Sequence, residues 1–203
     1  MKKLRLGFLA SHGGSNMQAI IDACKEGRLN AEPVVVVSNN SDSGAMERAR
    51  REGIPAFHLS SGTHPDPSDL DTAITHTLEE HNVDLVILAG YMKLLGPQTL
   101  ARYRGRILNI HPALLPKFGG KGLYGIKVHE AVLAAGEKVT GVTIHMVDER
   151  YDAGPIIAQR EVPVMPGDDA ETLAARVLET EHKLYAETIE RIAQGEIDLD
   201  ALS

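Results

Sequence analysis

The sequence predicts an α/β fold built on a mostly parallel, twisted sheet flanked by helices. Two observations carry this. Short apolar runs alternate with segments of helical period in the order β-α-β-α-β-α-β over residues 1–90, the pattern of a helix-connected parallel sheet. The run Val34–Val37 is four consecutive valines, as expected of a strand buried on both faces. The chain of 203 residues, 43% hydrophobic and 24% charged, is long enough for one well-buried domain.

Leu4–Ala10 is a β-compatible run that stops at Ser-His-Gly-Gly. From Ser15 the period changes: Met17, Ile20, Ile21 and Cys24 lie three and four apart, the stripe of an amphipathic helix. Pro33–Ser38 reads as a strand, Ser43–Glu52 as a helix closed by Gly53, and Ile54–Leu59 as a strand. Ser60–Pro67 is a Ser-, Gly- and Pro-rich loop before a helix over Ser68–His81, and Asp84–Ala89 is a buried strand ending at Gly90. The second half is less regular. Arg106–Ile110 is a short strand, Lys121–Gly125 a glycine-rich loop and Lys127–Ala135 a helix. Val139–Val147 and Pro155–Val164 read as an antiparallel strand pair, and Asp168–Ala193 as a closing helix. No linker, repeat or low-complexity stretch divides the chain, so residues 1–203 are expected to form one Rossmann-like domain with halves at about 1–95 and 96–203.

Composition narrows the function. Aromatics make up 4%, there is no Trp and the formal charge is -7, which argues against a nucleic-acid surface. The single cysteine, Cys24, leaves no partner for an intrachain disulfide or a thiolate zinc site and reads as a small core residue. Arg5 interrupts the short N-terminal apolar stretch, so no signal peptide is expected there. No apolar run reaches the roughly 20 residues of a membrane-spanning helix. A cytosolic protein acting on small molecules is expected, as a monomer or homodimer.

Ligands in parallel sheets bind beyond the carboxyl ends of the strands, which directs attention to Ser11–Asn16 and Gly90–Leu95. Ser11-His12-Gly13-Gly14-Ser15-Asn16 joins a strand to a helix. Its glycines allow a tight turn whose N–H groups attract an anion; equally, Ser15 serves as an ordinary helix N-cap. The run lacks the third glycine of the dinucleotide fingerprint and the Gly-Lys-Ser/Thr of a P-loop. In Asn109-Ile110-His111-Pro112, Asn109 and His111 project to one side of a strand about 6–7 Å apart. They offer an oxyanion donor and a proton-transfer group. In Asp148-Glu149-Arg150-Tyr151-Asp152-Ala153-Gly154-Pro155, one carboxylate facing a histidine would orient the imidazole and raise its pKa, but spacing does not single out which acid. His58, His64, His76, His81, His129 and His182 read as solvated, and His145 as a buried, hydrogen-bonded strand residue. No histidine pair has metal-ligand spacing, so no catalytic metal is expected.

Together these motifs resemble the phosphoribosylglycinamide formyltransferase family of folate-dependent transformylases. The resemblance rests on Gly14-Ser15-Asn16, on Leu88-Ala89-Gly90-Tyr91-Met92-Lys93, and on Leu108-Asn109-Ile110-His111-Pro112-Ala113-Leu114-Leu115-Pro116. It continues through Val128-His129-Glu130-Ala131, Gly141-Val142-Thr143-Ile144-His145 and Asp152-Ala153-Gly154-Pro155-Ile156-Ile157. The family implies that 10-formyltetrahydrofolate, as co-substrate and without a metal, gives its formyl group to the amine of phosphoribosylglycinamide. By the same resemblance, Asn109 and His111 stabilise the tetrahedral oxygen and His111 protonates the leaving folate nitrogen. Asp152 holds His111 protonated and helps remove the amine proton. Gly14, Ser15 and Asn16 take the substrate phosphate in the N-terminal half, and Glu181 lies near its ribose. Met92, Lys93, Leu94 and Leu95, with Val147 and Asp148, take the folate. The chain departs from the family pattern at His12, where glycine is common, at Lys93, where arginine is frequent, and at His64-Pro65-Asp66-Pro67, where some members carry a basic residue. A transfer-RNA formyltransferase would need a further C-terminal domain, and a formyl-folate hydrolase an N-terminal regulatory one. A nucleotide-binding module explains Ser11–Asn16 alone.

Overall fold

The computed structural model describes residues 2–150 and 152–202, so Tyr151 of the acidic turn lies outside the described residues. The first part of the chain folds in the expected order: β1 (Leu4–Ala10), α1 (Ser15–Lys25), β2 (Ala31–Ser38), α2 (Gly44–Arg51), β3 (Ala56–His58), α3 (Pro67–Glu80) and β4 (Leu85–Leu88). Next come α4 (Pro97–Arg102), β5 (Ile107–His111), α5 (Ile126–Ala134), β6 (Val139–Met146), β7 (Ile156–Pro163) and α6 (Ala170–Ala193), with a 3-10 turn at Leu199–Ala201. The seven strands form one sheet in the order β3-β2-β1-β4-β5-β6-β7, parallel from β3 to β5 and antiparallel from β5 to β7. The single-domain α/β expectation, with its antiparallel C-terminal pair, is borne out.

Strand periodicity splits the core into two layers. Leu6, Phe8, Leu85, Ile87, Leu108 and Ile110 point to one face, where they pack with Ile20 of α1 and Leu184, Tyr185 and Ile189 of α6. Leu9, Val35, Val37, Val86 and Ile107 point to the other, against Ile74 and Leu78 of α3 and Tyr103. Because Leu108 and Ile110 belong to the first layer, Asn109 and His111 face the other way.

The sequence signals no helix between Gly90 and Arg106, yet α4 forms there with its N-terminus capped from a distance. The buried Asp71 carboxylate of α3 accepts hydrogen bonds from Gln98 N (2.7 Å), Thr99 N (3.0 Å) and Thr99 Oγ1 (2.6 Å). A Cβ at Gly96 would lie 2.3 Å from Asp71 Cγ, so this approach requires glycine there. Tyr185 Oη lies within hydrogen-bond distance of the carbonyls of Leu88 (2.9 Å), at the carboxyl end of β4, and of Leu108 (3.1 Å), the second residue of β5. Ser11 ties the loops after β1, β2 and β4 together: its hydroxyl donates to Asn39 Oδ1 (2.6 Å) and accepts from Met92 N (2.8 Å). Among the described residues no helix is long and apolar enough to cross a membrane.

Candidate active site

A cavity of about 1150 Å³ opens where these strand ends meet, and it is lined by Asn16, Asn109, His111, Asp152 and Glu181 together with the Met92–Leu95 and Val147–Arg150 segments. Its groups arrive from both halves of the sheet.

At one end lies the turn between β1 and α1. Gly14 occupies the N-cap position at φ 74 and ψ 27, and among the described residues no side chain caps the helix. A Cβ here would sit 2.9 Å from Ala45 Cα of α2, so packing and backbone conformation both demand glycine. Ser15 is therefore the first helical residue and not the N-cap. The N–H groups of Ser15, Asn16 and Met17 meet no acceptor among the described residues. An uncapped first turn with open N–H groups and the positive end of the helix dipole is suited to an anion. Arg48 Nε donates to the Gly13 carbonyl (2.8 Å), which sets a guanidinium beside the turn. His182 Nε2 stands 3.2 Å from Ser15 Oγ, and burial, with the charge of Arg48, lowers the His182 pKa. Gly14 and Ser15 support the turn without lining the cavity, which Asn16 reaches.

Asn16 Nδ2 donates to Glu181 Oε1 (3.2 Å) on α6. Glu181 is only 8% exposed, and burial pushes its pKa up to about 7 against the opposing effect of the Asn16 hydrogen bond.

The other end is built on β5 and β6. The antiparallel register sets Asn109 opposite His145 and His111 opposite Thr143. Asn109 Nδ2 lies 3.3 Å from His145 Nε2, and His145 Nε2 lies 3.5 Å from Asp152 Oδ1. Asp152 sits in the loop before β7 at φ 48, and its Oδ2 accepts from Gly120 N (3.1 Å) and faces His111 Nδ1 at 3.8 Å. The acidic turn thus contributes Asp152 inward, while Asp148 pairs with Arg150 (2.8 Å). His111, 4% exposed, donates from Nε2 to the Phe118 carbonyl (2.7 Å), which fixes a proton on that nitrogen and turns Nδ1 toward Asp152. Thr143 Oγ1 secures the loop after β5, donating to the Ala113 carbonyl (2.7 Å) and accepting from Leu115 N (3.0 Å).

The electrostatics correct one expectation. Burial lowers the His111 pKa and outweighs the raising effects of the Phe118 carbonyl and Asp152. Asp152 at 3.8 Å is beyond hydrogen-bond range of Nδ1, so it moderates the drop without reversing it. For Asp152 burial acts upward, but the nearby His145 ring, the hydrogen bond from Gly120 N and the proximity of His111 leave its pKa lowered and the group ionised.

Two histidines expected on solvated faces are not there: His182 is part-buried beside Ser15, and His129 is 4% exposed and lines the cavity. His129 directly follows Val128 and stands three before Val132, both buried, so it lies on the apolar stripe of α5. His145 is buried as expected, and its link between Asn109 and Asp152 required the strand register to be seen. The Met92–Leu95 segment presents exposed apolar groups at the cavity mouth, Leu94 being 76% exposed. Among the described residues, no group of three or more His, Cys, Asp or Glu side chains is arranged to hold a metal ion.

Residues 4–189 match the family described as formyl transferase. The chain is 46% identical to a chloroplastic phosphoribosylglycinamide formyltransferase of Vigna unguiculata over 97% of its own length, and it spans 63% of that relative. It is 38% identical to the phosphoribosylglycinamide formyltransferase of Escherichia coli, covering 97% of this chain and 90% of that one. The crystal structure of glycinamide ribonucleotide transformylase 1 from Symbiobacterium toebii superposes with a TM-score of 0.89 at 43% identity, over 96% of this chain and 89% of the other.

Proposed function

The chain belongs to the formyl transferase family, and on that premise we propose that it transfers the formyl group of 10-formyltetrahydrofolate to the amine of phosphoribosylglycinamide in purine synthesis. The products are phosphoribosyl-N-formylglycinamide and tetrahydrofolate. The observation that carries this reading is the meeting, on the wall of one cavity, of Asn109, His111 and Asp152, with an uncapped helix turn at the far end. The phosphate binds at Gly14, Ser15 and Asn16, and Glu181 meets the ribose. The folate lies against Met92, Lys93, Leu94 and Leu95, and against Val147 and Asp148.

Attack of the amine on the formyl carbon places negative charge on the formyl oxygen. When His145 Nε2 accepts one Nδ2 hydrogen of Asn109, the other is left for that oxygen. His111 gives the proton on Nδ1 to the departing folate nitrogen, and Asp152 stabilises the imidazolium that carries it. Asp152, through water, takes the proton lost by the amine and returns it to His111, which closes the proton cycle. Burial makes neutral imidazole the resting form, so the cation at His111 depends on the carboxylate beside it. The single cysteine leaves no disulfide to suit an oxidising compartment, and we place the protein in the cytosol, as a monomer or homodimer.

Following tetrahydrofolate release by absorbance, with and without phosphoribosylglycinamide, tests the reading. Release that requires the amine supports it. Release without the amine indicates hydrolysis, and no release sets the transferase reading aside.

A further inference from the structure

Among the described residues, four buried side-chain atoms have no hydrogen-bond partner: Asn16 Oδ1, Tyr103 Oη, His129 Nδ1 and Thr140 Oγ1. Of these four residues only Asn16 and His129 line the cavity. Asn16 belongs to the phosphate turn. His129 has no assigned task, and its other ring nitrogen makes no hydrogen bond among the described residues either. Buried imidazoles in native proteins almost always bond something, so a ring with both nitrogens idle beside a cavity calls for a ligand.

The position of His129 says which ligand. It stands on α5, which packs against α6, the helix that carries Glu181. The residues of these two helices that line the cavity are Ile126, His129, Ala174, Ala175, Leu178 and Glu181. Only His129 and Glu181 have polar side chains. With the phosphate at Ser15 and Asn16, the ribose at Glu181 and the reacting amine at His111, the arm joining ribose to amine crosses this wall. That arm is a glycinamide, whose amide offers one C=O acceptor and one N–H donor. A neutral imidazole, with one N–H and one lone pair, is matched to either, and burial lowers the His129 pKa in favour of the neutral ring.

We propose that His129 is a binding residue for the glycinamide arm, hydrogen-bonding its amide and so directing the amine toward the formyl carbon. This rests on the proposed transferase reading. Two variants test it: His129→Phe keeps a ring and removes both nitrogens, and His129→Gln keeps one donor and one acceptor. Calorimetric binding of phosphoribosylglycinamide without folate should weaken about tenfold in His129→Phe, the loss of roughly one buried hydrogen bond, and substantially recover in His129→Gln. The KM for 10-formyltetrahydrofolate and the melting temperature should hold. In the wild-type protein, the ring ¹⁵N resonances of His129 should shift when phosphoribosylglycinamide is added. Unchanged affinity in His129→Phe would overturn the proposal, as would weakening of both substrates together with a lower melting temperature, which marks a structural role. A wild-type protein that binds no phosphoribosylglycinamide would overturn the transferase reading and this proposal with it, whereas an active wild type with an indifferent His129→Phe overturns this proposal alone.

Discussion

At the β1–α1 turn the N–H groups of Ser15, Asn16 and Met17 have no acceptor among the described residues, whereas Asn109 and His111 of β5, His145 of β6 and Asp152 of the loop before β7 already lie against one another. The first region belongs to the parallel part of the sheet, where strand ends leave turns and functional groups are mostly backbone. The second belongs to the antiparallel part, where neighbouring strands bring side chains face to face. The difference separates two jobs. Open donors have most to gain from a ligand, which suits binding. A preconnected set of side chains shifts protons with little rearrangement, which suits chemistry.

Changes in the antiparallel cluster should therefore act on turnover, and changes at the turn on affinity. The largest effect expected is from His111→Ala, with turnover reduced about 100-fold to 10,000-fold, the range for loss of a general acid–base group, while binding of both substrates holds. Steady-state kinetics with separate binding measurements check this, and a rise in KM with intact turnover would erase the division of labour. Asp152→Asn should lower turnover by roughly 100-fold and depress the His111 pKa further, because the carboxylate now raises it. An NMR titration of His111 that moves upward, or stays fixed, would break that pairing.

The turn answers differently. Gly14→Ala would force a Cβ to within 2.9 Å of Ala45 at a φ of 74. It should raise the KM for phosphoribosylglycinamide about tenfold and cost about 1–3 kcal/mol of stability, with the KM for formyl folate unchanged. Equal changes in both KM values would mean that the turn does not serve one substrate.

Glu181 gives the smallest effect on function and a definite sign in stability. Burial pushes its carboxyl up to about 7 in the folded protein, against about 4.5 for the same group in the unfolded chain. The folded state holds this proton more tightly, so the contribution is full below 4.5 and fades as pH rises to about 7. The loss is on the order of 3 kcal/mol. Glu181→Gln should remove that slope in denaturant titrations across this range. An identical pH profile in the variant would show that Glu181 does not carry the shift.

The same contrast explains what the sequence disclosed. The parallel half was readable because its signals are local: the valine run of β2, the stripe of α1 and the glycines after β1 each lie in one stretch of chain. Even there α4 stayed hidden, since it is short and its cap is Asp71, distant in sequence. Asn109 and His111 were legible from strand alternation. His145 was not legible as a link, because its partners come from β5 and from the loop before β7, a juxtaposition set by register. Asp152 was distinguishable from Asp148 only by resemblance, since both lie in one polar turn and the backbone decides which points inward. His129 was missed because Lys127 and Glu130 on either side look solvated, although its spacing to Val132 marked the buried stripe.

The central claim is that the β5–β6 cluster moves a formyl group onto an amine. Its most direct test is a single-turnover experiment with ¹³C-formyl-labelled 10-formyltetrahydrofolate and saturating phosphoribosylglycinamide, run on the wild-type protein and on His111→Ala. The account requires the label to appear on the amine with the wild type, and to remain on the folate in a variant that still binds both substrates. Label released as formate by the wild type, or transferred at the wild-type rate by the variant, would contradict it.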